Sequence, residues 1–269
     1  MNSSIKLGII GLGYVGLAVS RGFGASHIEQ KLFDLKLPGT SIDTVVDTDY
    51  VFVCLPSEAD GAISPMLVEE ALEQLAARNY RGVVIIKTTL PLEYGDRLVH
   101  WSEKLRIAVN PEFLRQASAD RDFIDSTQVV IGTYDLETYN SVAELYEYSY
   151  LRKRWKINLT PVEAIAYKLF LNVYLASKVS LFNEFAQIFA TVSLKDWNEF
   201  AHHLAQDPRV GYSHIYSPGP DGQMGFGGKC LPACIDSVIQ YCEDQDLTPF
   251  TITGAAIQNA VIRENNNPE

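Results

Sequence analysis

Cys230 has the surroundings of a reactive thiol. It lies in Gly225-Phe226-Gly227-Gly228-Lys229-Cys230-Leu231-Pro232, at the end of a Gly/Pro-rich stretch and at the expected first turn of a helix. The positive end of a helix dipole and a neighbouring lysine both favour thiolate, the nucleophilic form. Near the other end of the chain, Gly11-Leu12-Gly13-Tyr14-Val15-Gly16 has the GxGxxG spacing of a dinucleotide-binding turn. Its glycines permit a tight turn and let backbone N–H groups approach a pyrophosphate. A nucleophilic thiol paired with a nicotinamide dinucleotide points to oxidation through a covalent thiohemiacetal and thioester.

The elements around that turn support it. An apolar strand is expected over Ile5–Ile10, and an apolar helix follows through Phe23. A second short strand, Lys31–Phe33, ends at Asp34, about twenty residues beyond the turn. A carboxylate there would accept from both ribose hydroxyls and repel a 2′-phosphate, so NAD is the expected cofactor rather than NADP. Further strands are expected at Tyr50–Leu55, closed by Pro56, and at Gly82–Lys87, Arg106–Val109 and Val129–Gly132. Helical patterns at Pro65–Arg78, Glu93–Lys104 and Leu136–Tyr148 alternate with them. Such alternation implies an α/β fold, a Rossmann-type doubly wound parallel sheet. The link from Asp34 to Tyr50 contains Pro38 and Gly39 and is short for a crossover helix. A stunted helix or irregular turn near Ser41–Val46 is expected there.

The second half reads as helical. Thr160-Pro161-Val162-Glu163 is a strong helix start, with Thr as N-cap, Pro at the first position and Glu at the third. The apolar pattern then continues to about Val192, roughly 50 Å of helix. A helix of that length suggests a two-domain spine or a subunit interface, and its apolar stretch is too long for one small domain to cover, so a homodimer is expected. Lys168 and Asn172 share one face of it. Asn183 and Glu184 interrupt its apolar pattern and, taken alone, read as solvated surface. Asp207–Lys229 is a long loop rich in Gly, Pro, Ser and Tyr that delivers Cys230 to a helix ending near Asp244. A last helix is expected over Pro249–Arg263. The expected domains are 1–155, NAD-binding, and 156–269, an all-helical domain that carries the cysteine loop.

Composition narrows the function. The chain has 269 residues, 47% of them hydrophobic, enough for a real core. A net charge of −11 argues against nucleic acid as a partner. No uninterrupted apolar run reads as long enough to cross a bilayer, and no export signal is seen, so a cytoplasmic protein without a membrane partner is expected. The four cysteines, Cys54, Cys230, Cys234 and Cys242, lack paired CxxC spacing and an accompanying histidine cluster. They read as reduced thiols, with no metal site.

Taken in order along the chain, these motifs resemble those of the UDP-glucose/GDP-mannose dehydrogenase family, NAD-dependent four-electron oxidoreductases of nucleotide sugars. The matching residues are Gly11–Gly16, Lys87-Thr88-Thr89-Leu90-Pro91, Asn110-Pro111-Glu112-Phe113-Leu114-Arg115, Glu163 with Lys168 and Asn172, Asn183-Glu184, Asp207–Gly211 and Gly225–Pro232. The resemblance implies a nucleotide-sugar substrate such as UDP-glucose, whose C6 alcohol would be oxidised to a carboxylate. Cys230 would trap the aldehyde, and Lys168 and Asn172 would stabilise the oxyanion at each tetrahedral stage. Glu112 would move a proton or position water, and Thr89 would position water or the C6 oxygen. The implied cofactor contacts are Gly11, Gly13, Tyr14, Val15, Gly16, Asp34, Cys54, Pro56 and Thr89. The implied substrate contacts are Phe113, Leu114, Arg115, Lys168, Asn172, Tyr216, Gly227 and Gly228.

Three departures qualify the resemblance. The family usually has a second glutamate four residues after the position of Glu112, and here Gln116 stands there. It usually has an aspartate four residues after the nucleophile, and here that residue is Cys234. Asp236 lies two residues beyond Cys234, about 200° around a helix, and should point elsewhere. Family members are also usually longer, with a C-terminal domain that closes on the nucleotide, so nucleotide affinity should suffer here unless a partner subunit supplies that wall. Two other readings therefore stand beside four-electron catalysis. One is a two-electron alcohol or hydroxyacid dehydrogenase, since small β-hydroxyacid dehydrogenases share the plan and the lysine–asparagine pair. The other is a non-catalytic NAD- or nucleotide-sugar-binding partner protein.

Overall fold

Short runs of aliphatic residues build a seven-stranded sheet in the N-terminal part of the chain. The strands are β1 (Ile5–Ile10), β2 (Ile28–Phe33), β3 (Tyr50–Val53), β4 (Val83–Ile86), β5 (Arg106–Val109), β6 (Gln128–Thr133) and β7 (Trp155–Leu159), in the order β2-β1-β3-β4-β5-β6-β7. The structure is a computed structural model that describes residues 4–24, 27–59, 61–114, 119–149 and 154–265. It divides into two compact units, Met1–Ala59 with Ile63–Lys168 and Asp60–Ala62 with Leu169–Glu269.

The first five strands are parallel. All four residues of β4 are buried, as in a strand covered on both faces. The expectation of a wholly parallel sheet needs correction. β6 runs antiparallel to β5, with Ala108 opposite Thr133, and β7 is parallel to β6, so the last two strands are reversed. The physical reason lies in the link: between β5 and β6 the described helix is only the seven-residue α4 (Ala119–Asp125). An antiparallel neighbour needs no full crossover. β7 was not anticipated. It is an edge strand whose Trp155 is largely exposed, and its pairing with β6 extends the first unit past residue 155.

Helices α1 (Tyr14–Gly22), α2 (Met66–Ala77), α3 (Tyr94–Ser102) and α5 (Leu136–Glu147) complete this unit. Phe23, just after α1, packs its ring 5.4 Å from Phe52 and 5.3 Å from Tyr146 at the heart of the core. The short link after β2 holds only a single 3-10 turn, Ile42–Thr44, closed by a capping box on Ser41, in line with the expected stunted helix.

Helix α6 (Pro161–Val192) contributes to both units. Its start is the expected cap: Thr160 N–H donates to Glu163 Oε2 at 2.8 Å, and Glu163 N–H donates back to Thr160 Oγ1 at 3.4 Å. By length and composition α6 is apolar enough to cross a membrane, although Lys168, Lys178 and Glu184 interrupt its apolar run. Some 44% of that stretch is buried within the protein. The same helix buries Lys178, whose ammonium donates to the carbonyls of Val210 at 2.8 Å and Ser213 at 2.6 Å. The rest of the second unit consists of α7 (Trp197–Leu204), α8 (Cys230–Asp244) and α9 (Phe250–Asn265). α7 was not anticipated. Asp196 caps it by accepting from Glu199 N–H at 2.9 Å, and its Trp197 packs with Phe182, Ala201, Ala205 and Ile215.

Candidate active site

The turn between β1 and α1 is built by its glycines. Gly11 has φ +88, and a Cβ there would lie 2.5 Å from the carbonyl oxygen of Cys54. A Cβ on Gly16 would lie 1.9 Å from Gly11 O, so strand and helix approach as closely as only glycine allows. Gly13 is open, with nothing within 4 Å of an added Cβ. It is the N-cap of α1, which has no side-chain cap and no acid in its first turn. An uncapped helix start beside an open glycine fits a pyrophosphate. Asp34, just past β2, accepts from Leu12 N–H at 2.6 Å and from Lys36 N–H at 2.8 Å. The Leu12 bond, then the Lys36 bond, hold its carboxyl below the usual range. A carboxylate has about four acceptor sites, so two bonds leave capacity for a ribose. Tyr14 and Val15 are half-buried in the first turn of α1, and Pro56 is exposed after β3.

The ends of β3, β4 and β5 deliver a buried polar cluster within the first unit. Lys87, 5% exposed, donates to Asn110 Oδ1 at 3.2 Å. The Tyr146 hydroxyl donates to the same oxygen, and Asn110 Nδ2 donates to Val130 O at 2.5 Å. Burial pushes the Lys87 ammonium down to about 8. Burial also pushes the Cys54 thiol up to about 12, so Cys54 is a packing residue under the glycine turn rather than a reactive one. Thr88 accepts from Leu55 N–H at 3.0 Å, stapling the strand ends, and Thr89 follows half-buried. Glu112, 6% exposed, accepts from Leu114 N–H at 2.5 Å through Oε2 and faces the Lys168 ammonium at 3.4 Å through Oε1. Lys168, 4% exposed, also lies 5.3 Å from the ring centroid of Phe113. The first unit thus brings together Glu112, Phe113, Leu114 and Lys168. Arg115 and Gln116 lie outside the described residues. In the sequence Lys87 stands out only as the first residue of the Lys87–Pro91 motif. Its signal was a lysine ending a run of four aliphatic residues.

In the second unit, Cys230 is exposed and is the first residue of α8. That helix has Lys229 as N-cap, no side-chain cap and no acid in its first turn, the electrostatic setting that favours thiolate. One turn on, Cys234 is 2% exposed and accepts from Asn172 Nδ2 at 3.2 Å. A buried thiol therefore takes the asparagine's hydrogen bond at the position where the resemblance has a carboxylate. Asp236 is exposed, as expected from its angle on the helix. Tyr216 is exposed, and Gly227 and Gly228, the latter with φ +72, lie in the loop before Cys230. Asn183 is not solvated: it is 1% exposed and its Oδ1 accepts from Gly225 N–H at 3.2 Å and Ser217 Oγ at 2.8 Å. Glu184 is exposed. None of the four cysteines is in a disulfide, and no His/Cys/Asp/Glu group among the described residues could hold a metal.

A Rossmann-type dinucleotide-binding sheet, followed by helices that present a thiol at a helix start, sets the class. The chain belongs to the UDP-glucose/GDP-mannose dehydrogenase family. Residues 29–150 match the family's NAD binding domain and residues 162–265 its central domain. It is 28% identical over 235 residues to UDP-glucose 6-dehydrogenase YwqF of Bacillus subtilis, covering 84% of this chain and 50% of the relative. It is 26% identical over 306 residues to UDP-glucose 6-dehydrogenase AglM of Haloferax volcanii, covering 95% and 69%. Among solved structures, a UDP-glucose dehydrogenase from Pyrobaculum islandicum superposes with a TM-score of 0.82 at 24% identity, covering 97% of this chain and 69% of that one. The chain thus spans about half to two thirds of the length of these relatives.

Proposed function

We propose that the chain is an NAD-dependent nucleotide-sugar dehydrogenase that oxidises the C6 alcohol of UDP-glucose or a related nucleotide sugar to the carboxylate. The observation that carries this reading is the exposed Cys230 thiol at the uncapped start of α8, in a chain with the family's NAD-binding domain. NAD, when bound, supplies the hydride acceptor. The backbone N–H groups at the start of α1, over Gly13–Gly16, would hold its pyrophosphate and Asp34 its ribose. The Cys230 thiolate attacks the aldehyde carbon to give a thiohemiacetal, whose oxidation leaves a thioester that water cleaves. Lys168 and Asn172 stabilise the oxyanion, a role in which a charged donor is worth most. Glu112 takes the proton from water, and Thr89 positions the water or the C6 oxygen. The proposed substrate contacts are Phe113, Leu114, Arg115, Tyr216, Gly227 and Gly228.

The protein with UDP-glucose and NAD is expected to yield two NADH per sugar, and Cys230→Ser at most one. Counting NADH over a small panel of nucleotide sugars tests this. A count of one in the parent supports two-electron chemistry, a reading favoured by Cys234 standing where the family has an acid. A count of zero supports a binding partner. A homodimer goes with this reading. Phe170, Tyr174, Leu181, Phe185, Ile188 and Val192 form an exposed apolar stripe along α6 at helical spacing. Light scattering at micromolar concentration should give twice the chain mass, and a monomer would remove that assignment.

A further inference from the structure

We propose that Arg263, on the last helix, is a positioning residue for the Cys230 thiol. Together with Asn259 it clamps the backbone of the loop that leads into α8. This deepens the reading of Cys230 as a nucleophile and rests on it.

Residues 217–229 contain five glycines and no helix or strand, so little in the chain itself fixes their path. The fixing comes from far along the sequence. Phe226 N–H donates to Asn259 Oδ1 at 2.6 Å. Arg263 Nη2 donates to Gly225 O at 3.0 Å and to Asp221 Oδ2 at 2.8 Å, while Nη1 donates to Gln223 Oε1. Gly222 N–H donates to Gly219 O at 2.9 Å, and Gly219 N–H donates to Gln223 O at 2.8 Å, so the segment Arg263 grips is a closed turn. One guanidinium therefore holds that turn and the chain leaving it. The guanidinium also lies against Gly227, where an added Cβ would meet Nη2 at 2.6 Å. Asn259 and Arg263 are four apart and share a face of α9. A planar fork meets these three acceptors from fixed, spread directions, which the single ammonium nitrogen of a lysine would not reproduce.

The consequence reaches the thiol through geometry. The loop's exit through Gly228 and Lys229 sets where α8 begins, and so where Cys230 sits relative to the first-turn N–H groups. The stabilisation of an anion there fades within one turn. If the clamp is released, the first turn frays and the thiolate loses that setting.

The test is the pH dependence of Cys230 alkylation by iodoacetamide, read by mass spectrometry of the Cys230 peptide on the full chain. Amide hydrogen exchange of the loop is followed in parallel. Arg263→Met is expected to raise the alkylation midpoint by about 0.5 pH unit. It should also speed exchange at Gly225 and Phe226 by roughly tenfold, the effect of about one lost hydrogen bond. Arg263→Lys, able to keep Asp221 but not all three partners, should fall between Met and the parent. An unchanged midpoint overturns the proposal, whether the loop amides stay protected or exchange rises throughout the unit. Should Arg263→Met not fold, an unchanged midpoint in Arg263→Lys does the same. Alkylation needs neither cofactor nor sugar, so a failed NADH count would sink the dehydrogenase reading without touching this outcome.

Discussion

Lys87 offers a direct test of the buried cluster. Replacing it with Met keeps the length of the side chain and removes the charge. Asn110 Oδ1 keeps the Tyr146 hydroxyl as a donor, so no acceptor is orphaned. Burial is the largest influence on the ammonium and brings it from 10.5 to about 8. A lysine with a depressed folded value binds fewer protons folded than unfolded between those two values. Stability therefore rises with pH through that window, and the cost of burying the charge is fully present below pH 8. Integrated from pH 7 to pH 10, the gain is about 2–3 kcal/mol in the parent and absent in Lys87→Met. The difference between the two proteins is the quantity to read, because the buried phenols titrate alike in both and the Cys54 thiol, pushed up to about 12, stays protonated across this window. Urea unfolding in a Trp197→Phe background leaves Trp101 and Trp155, both in the first unit, as reporters. Lys87→Met should start level with or above the parent at pH 7 and lose that standing by pH 10. Parallel profiles would refute the reasoning, since they would mean the ammonium keeps its ordinary value through contact with water.

Asp34→Ala should weaken NAD binding by about tenfold or more and NADP binding much less, because the lost carboxylate would serve a ribose diol and repel a 2′-phosphate. Calorimetric titration with both cofactors checks it, and equal losses would remove the ribose role. Cys234→Asp should speed release of the sugar acid from the enzyme, visible as a faster steady state after the first two NADH. An unchanged rate, with no thioester trapped on the parent by acid quench and mass spectrometry, would count against the assignment of that position.

The parts of the fold legible in sequence are those written in neighbouring residues. The glycine turn, the Thr160 capping box and the start of α8 at Cys230 each need only a few positions, and each stands where the pattern put it. Strand direction is different, because the alternation that marks a strand is the same read either way. The reversal of β6 and β7 could not be seen in it. Buried polar residues fail for another reason. Asn183 looks like surface beside Glu184, and only its burial and its bonds to Ser217 and Gly225, 34 and 42 residues away, show otherwise. Arg263 sits in a polar C-terminal stretch and is defined by acceptors some forty residues earlier.

The departures from the family pattern share a sign. Gln116 and Cys234 each stand where the resemblance implies a carboxylate, so Glu112 is the one acid left of that set. Gln116 can orient water but cannot accept its proton. Cys234 is buried and held by Asn172, which keeps the amide oriented without supplying a negative charge. Orientation and proton transfer are thereby separated. In the proposed mechanism oxyanion stabilisation needs donors in place, and Lys168 and Asn172 would be those donors. In the same proposal thioester cleavage needs a base for water, and that load would fall on Glu112, already bonded to Leu114 N–H and facing Lys168. A chain so equipped should manage hydride transfer better than hydrolysis. The acyl-enzyme step, rather than the first oxidation, is then where its turnover would be limited and where a restored carboxylate would act.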